Sequence, residues 1–278
     1  MQSRSQHVSK VITRITESAV LPYYLFVSVY MVVYWPFCPH PPESAIAAIL
    51  KIVPIWYLTL YAYRHRVPNL DAHRHRVPNL DAHRHRVPNL GVWPSPAACP
   101  ASLDSTSQEA TDIDQHRPGV GKLQLGYFIP SLVVSSVGDI CLVYKSLFKP
   151  GIFFFAIAQL LNLLALKKLY QRSSKAWVSV PLCVLLYTVI LPGIHDSLFQ
   201  VIVFLYAILI HSMLFFAIAG YESVPCSSTL SSMLGASLFV LSDFLIAYNK
   251  WLAETPHSQV SILLTYYVAQ LLLAVSHC

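Results

Sequence analysis

Charge is scarce in this sequence: 12% of its 278 residues are Asp, Glu, Lys or Arg, against 55% hydrophobic residues. So few charges exclude the water-facing surface of an ordinary globular domain and point to lipid as the solvent. Paired cysteine spacing is also absent. Cys38, Cys99, Cys141, Cys183, Cys226 and Cys278 are scattered, which implies neither a disulfide framework nor a zinc site, so they read as small apolar packing residues. No small-residue cleavage site follows the first apolar stretch. The basic leader with Arg4, Lys10 and Arg14 therefore precedes a retained helix rather than a removed signal peptide.

What is present is a series of apolar segments, each close to the roughly 20 residues that cross a hydrocarbon core of about 30 Å. Eight are expected, over residues 19–37, 44–63, 123–145, 151–170, 176–193, 197–220, 230–250 and 259–277. The expected fold class is an all-α integral membrane protein, a bundle of eight transmembrane helices. Its organisation reads as a cytoplasmic leader (1–18), helices one and two (19–63), a long cytoplasmic loop (64–122) and helices three to eight (123–278). The net charge of +6 would suit nucleic acid, but in a membrane chain its distribution between alternate loops is informative instead. The N-terminus, the 64–122 loop and the 166–175 loop hold most of the basic residues, leaving Lys145, Lys149 and Lys250 on the other side. By the positive-inside rule both termini are cytoplasmic. No nucleic-acid partner, cofactor or metal is expected, and the oligomeric state is left open.

Arg64 to Leu90 reads RHRVPNLDAH twice and then RHRVPNL. Solenoid repeats have periods of about twenty residues or more and an apolar face to stack, whereas this unit offers only Val and Leu around a Pro. The Pro-, Ser- and Asp-rich stretch after it extends the same pattern, so the loop reads as a turn-like or disordered linker without chemistry.

An ionisable side chain inside a span costs about 2.5–3.5 kcal/mol on insertion scales, so each needs a partner, a wet cavity or a function. Lys51 in the second span, Asp139 in the third and Asp243 in the seventh qualify. With a rise of about 1.5 Å per residue, all three lie about 10 Å below the non-cytoplasmic face. Gln159, Tyr206, Tyr266 and Gln270 fall in or just below that layer, so one polar chamber could hold them all. Ser135 and Ser136 share a helical face with Asp139, and Gly235 and Phe239 share one with Asp243. Gly138, Gly235 and Ala236 offer surfaces small enough for helices to approach closely. Two carboxylates in one dry pocket do not both ionise cheaply, so one holds a proton and the pair suits general acid/base work. A Lys and Asp ion pair that only fixes helix register is the bland alternative.

Several spaced motifs resemble the YhhN family of membrane lysoplasmalogenases. They are Lys51 to Pro54 (KxxP), Ser135 to Asp139 (SSVGD), Gly235 to Asp243 (GASLFVLSD), Tyr266 to Ser276 (YYVAQLLLAVS), and Tyr206 with Met213. The resemblance covers all eight spans and leaves the repeat as an insertion. In the fourth span the family pattern has a small residue, His and Tyr, where this chain has Ala158, Gln159 and Asn162. A proton-shuttling role there is lost, whereas a hydrogen-bonding role is kept.

The resemblance implies an eight-helix bundle in an internal membrane, in animals the endoplasmic reticulum. It also implies hydrolysis of the vinyl ether of a lysoplasmalogen, a lysophospholipid, to a fatty aldehyde and glycerophospho-ethanolamine or -choline. Such a bond cleaves when its outer alkene carbon is protonated and water traps the oxocarbenium ion, in parallel with glycoside hydrolysis. Asp139 and Asp243 are the expected catalytic pair. Lys51, Tyr206, Tyr266, Gln270, Gln159 and Asn162 are the expected substrate-binding groups. Two other readings stay open on the sequence. One is a proton-coupled transporter, which buried charges would also suit although no repeated halves with broken helices are seen. The other is a non-catalytic lipid-binding membrane protein.

Overall fold

The computed structural model describes residues 2–34, 42–74, 118–167 and 173–277. Among them the helices, in chain order, are α1 (Gln2–Ile15), α2 (Leu21–Tyr34), α3 (Ala45–Arg74), α4 (Pro118–Val143), α5 (Phe148–Lys167), α6 (Ser179–Ile190), α7 (Ser197–Ser223), α8 (Ser227–Trp251) and α9 (Ser258–His277). Short 3₁₀ turns join several of them, and no strand occurs among the described residues. Among the described residues seven helical segments are long and apolar enough to cross a bilayer, and the count reaches eight if a bent helix pair near the N-terminus is one span. The chain is a multi-pass helical membrane bundle.

That bent pair differs from the continuous helix expected over 19–37. The helical segments Ser5–Ile15 and Ser18–Tyr34 meet at 51°, and the last residues of the expected span, 35–37, lie outside the described residues. The leader is itself helical. Val8, Val11, Ile12 and Ile15 recur at helical spacing, and Val11 is buried against Leu230 and Leu272 while Val8 and Ile12 stay exposed. Arg14 Nη1 donates to the Val275 carbonyl at 3.2 Å, so the bend and the end of α9 lie at one end of the bundle. At that bend Tyr24 and Tyr57 donate to the Ile15 and Ala19 carbonyls at 2.9 and 2.5 Å. The other limb of α2 finishes beside Ala47, Val143 and Tyr144 at the opposite end. A second difference concerns the loop. The second span falls at Ala45–Arg64, close to the expected 44–63, but where a turn-like or disordered stretch was expected to follow, the helix α3 continues to Arg74, through the first copy of the repeat. The later copies lie outside the described residues.

Helix α9 is the axis of the bundle. It packs on α8, α3, α4 and α1, and 67% of its apolar window is buried, against 17% for the window containing α6. A helix apolar around its whole circumference belongs inside, and Tyr266 to Ser276 is such a run. The α8–α9 approach depends on Gly235, where an added Cβ would stand 3.0 Å from Leu273 Cγ and 3.1 Å from the Ala269 carbonyl oxygen. Gly138 does the same between α4 and α5, since a Cβ there would meet the Phe155 ring at 2.8 Å. Gly235→Val is therefore expected to cost about 1–3 kcal/mol by overpacking. Thermal unfolding in detergent micelles checks this.

Candidate functional site

Lys51 sits one and a half turns into α3, Asp139 about one turn before the end of α4, and Tyr266 on α9 faces both. Each belongs to an otherwise apolar run, so the carboxylate reaches its partners only by turning inward. Asp139 is 1% exposed. Lys51 Nζ lies 3.2 Å from its Oδ1, and Tyr266 Oη donates to its Oδ2 at 2.6 Å. Gln270, one turn along α9, donates from Nε2 to Tyr266 Oη at 3.2 Å. The lysine's backbone is held in turn: Tyr267 Oη donates to the Lys51 carbonyl at 2.8 Å, and Tyr23 Oη donates to the Tyr267 carbonyl at 2.7 Å. Phe155 and Phe239 meet the Tyr266 ring edge-on, with centroids 6.1 and 5.5 Å away. The phenol is thereby fixed in orientation.

Asp243 has a different environment. Tyr206 on α7 donates a short hydrogen bond to its Oδ2, and among the described residues no Lys, Arg or His pairs with it. Asp139 is within coulombic range. Asp243 and Tyr206 both line a cavity of about 70 Å³ walled by Leu142, Phe155 and Ile246. The same pair lines a second cavity of about 60 Å³ toward α6. Phe148, Phe199 and Trp251, with centroids 5.9–6.3 Å apart, form an aromatic cluster at this end, and Phe148 and Trp251 line the first cavity.

The expected chamber is thus two linked arrangements. Lys51, Asp139, Tyr266 and Gln270 form a closed network, while Tyr206 and Asp243 form a pair that opens on cavities. Helix α5 joins them. The Gln159 amide lies beside the Tyr206 hydroxyl and accepts from Asn162 Nδ2 at 3.4 Å. Ser131 Oγ donates to Asn162 Oδ1 at 2.6 Å. Several buried polar atoms here close no hydrogen bond with the described residues: Ser135 Oγ, Gln159 Nε2 and Gln270 Oε1.

Two features escape a reading of the sequence. Lys145 and Lys250, which served there only to orient the chain, line a vestibule of about 340 Å³ with Asn249, Ser258 and Gln259, and Lys51 reaches it from inside the bundle. This vestibule shares Leu142, Phe148 and Ile246 with the Asp243 cavity. The second feature is His211 on α7, 6% exposed, which lines the smaller cavity beside Asp243. In the run ILIHSMLFF it reads as one polar residue on an apolar helix. The insertion-cost argument used for the charges would have flagged it more weakly, because a neutral imidazole is cheaper to bury. No group of three or more His, Cys, Asp or Glu able to hold a metal occurs among the described residues.

The chain is similar to lysoplasmalogenase TMEM86A of Bos taurus, 31% identical over 150 residues, covering 52% of this chain and 62% of that protein. It is 32% identical over 150 residues to lysoplasmalogenase TMEM86A of Homo sapiens, and 31% identical over 154 residues to lysoplasmalogenase TMEM86B of Homo sapiens. These alignments cover 52% of this chain and 62% and 61% of the human proteins. The chain thus spans about three-fifths of the length of the curated relatives it matches. No solved structure matches. The YhhN family profile matches residues 118–277, from the start of α4 to the end of α9 and so across both aspartates, and the chain belongs to the YhhN family.

Proposed function

We propose that this protein is a membrane-embedded lysoplasmalogenase, splitting the vinyl ether of a lysophospholipid into a fatty aldehyde and glycerophospho-ethanolamine or -choline. The observation that carries the reading is an aspartate with no cation partner among the described residues, hydrogen-bonded by Tyr206 and lining a small, mostly apolar cavity. A carboxyl in that setting is suited to hold a proton and give it to a carbon. Relatives named lysoplasmalogenases point to the same chemistry.

The two arrangements divide the work. Asp243 is the acid: Tyr206 occupies Oδ2, leaving the other oxygen to present the proton to the outer vinyl carbon. Asp139 stays charge-paired with Lys51, and with Tyr266 and Gln270 it forms the fixed polar wall against which the reacting glycerol end is positioned. On α5, Asn162 donates to Gln159, whose amide lies beside the Tyr206 hydroxyl. Lys51, committed to Asp139, is not the headgroup ligand; that role falls to Lys145 and Lys250 in the vestibule. Asp243 lies about 12 Å along α8 from Trp251, which suits a bond next to the glycerol backbone of a lipid whose phosphate rests at the helix ends. Positive-inside charge and family resemblance support a reading in which this end faces the non-cytoplasmic side of the endoplasmic reticulum membrane and both termini are cytoplasmic.

The test is purified protein in lipid vesicles given alkenyl lysophosphatidylethanolamine, with fatty aldehyde as the product followed. Release from the alkenyl lipid and none from its saturated alkyl analogue is expected. No aldehyde from either sinks the proposal. For the vestibule, replacing Lys145 and Lys250 together with Gln is expected to raise KM about tenfold or more, at roughly 1 kcal/mol per lysine. With the chemical step untouched, kcat should hold.

A further inference from the structure

The hydrolysis needs a water as well as an acid, and His211 has the geometry to position one. Its Nδ1 lies 2.9 Å from the Ala207 carbonyl oxygen, one turn back on α7. A carbonyl oxygen only accepts, so Nδ1 carries the hydrogen and the neutral ring presents Nε2 as a bare lone pair. That Nε2 is buried and closes no hydrogen bond with the described residues. The ring borders the cavity of about 60 Å³ whose wall also includes Asp243, Tyr206 and Tyr187. The two phenols already spend their hydrogens, Tyr206 on Asp243 and Tyr187 on the Gln200 carbonyl. Apart from the proton of Asp243, the polar groups facing this space are therefore acceptors. A cavity this size with several polar partners is large enough for water. Such a water gives both hydrogens to the wall and keeps an oxygen lone pair for an electrophile.

We infer that His211 Nε2 positions and deprotonates the hydrolytic water, so that the acid and the base of the reaction stand on neighbouring helices, Asp243 on α8 and His211 on α7. The inference rests on the hydrolase reading above. Asp243 transfers its proton to the outer vinyl carbon, the alkene electron pair forms the new C–H bond, and the ether oxygen shares the resulting positive charge with the inner carbon. The water oxygen bonds to that inner carbon as its proton passes to Nε2, giving a hemiacetal, an imidazolium and the Asp243 carboxylate. On collapse the bond from the inner carbon to the glycerol oxygen breaks. The imidazolium proton goes to that oxygen and the hemiacetal hydroxyl proton to Asp243, so both residues regain their starting states and one water has been consumed.

An oxocarbenium ion that is formed but not trapped can return its new proton, so impaired trapping leaves a record in the substrate. In D₂O, His211→Leu is expected to slow aldehyde release about 100-fold and to leave deuterium on the outer vinyl carbon of recovered alkenyl lysophosphatidylethanolamine. Unmodified protein leaves little. His211→Gln, which still offers an acceptor to water, is expected to regain about tenfold of the lost rate and to reduce the exchange. Unchanged aldehyde release in His211→Leu, or slow release in both variants without deuterium in the substrate, overturns the role of His211 alone. Absence of aldehyde from the unmodified protein overturns the hydrolase reading together with it.

Discussion

Asp243→Asn is expected to lower aldehyde release by about 10³-fold while leaving the protein folded. The size follows from losing the proton donor of the rate-setting step, for which general acid catalysis contributes roughly 10²–10⁴. Retention of the fold follows from local geometry. Asn has the same shape and keeps an oxygen to accept from Tyr206, and no cation loses its partner. The comparison that sharpens the assignment is Asp139→Asn, which leaves Lys51 buried without its carboxylate and so lowers stability as well as rate. Measuring aldehyde release and thermal unfolding side by side checks both halves. An Asp243→Asn protein as active as the parent would exclude Asp243 as the acid.

Lys51→Met carries the largest expected effect on stability. Asp139 is 1% exposed, and removing one member of a buried ion pair typically costs about 3–5 kcal/mol because the other charge is left uncompensated. Combining Lys51→Met with Asp139→Leu removes both charges and is expected to restore most of the loss, since an apolar pair of similar volume packs at little cost. Activity should not return with stability, because Tyr266 and Gln270 lose the carboxylate that orders them. Unfolding midpoints of the single and double variants in one detergent give the coupling directly. A double variant no more stable than Lys51→Met would mean that the lysine's worth lies in its contact with the Asp139 backbone carbonyl at 3.5 Å.

The layer of polar residues was legible in the sequence because charges in apolar runs are costly wherever they fall. A rise per residue then puts Lys51, Asp139 and Asp243 at one depth without any structure. Which aspartate takes the lysine was not legible. That depends on α3, α4 and α9 being mutual neighbours, and helix adjacency leaves no trace in spacing. Depth likewise says nothing about which groups meet cavities, so Asp139 and Asp243 looked equivalent until the packing separated them. The helical leader could have been seen: Val8, Val11, Ile12 and Ile15 trace one face. The bend after it turns on tertiary bonds from Tyr24 and Tyr57, which sequence periodicity does not report. Gly138 and Gly235 were readable as close-approach positions because small residues in a span have few other uses.

The central place of α9 has a bearing on how the chain is made. Synthesis delivers α3 and α4 to the membrane long before Ser258–His277 emerges, so Lys51 and Asp139 must wait in the nascent bundle without Tyr266 and without the wall that α9 builds around them. Throughout that interval the pair is shielded from lipid only by its own attraction and by whatever water or insertion machinery lies alongside. Completion of the site thus waits on the arrival of α9, and a ribosome stalled before it leaves a membrane intermediate marked by an exposed pair of opposite charges.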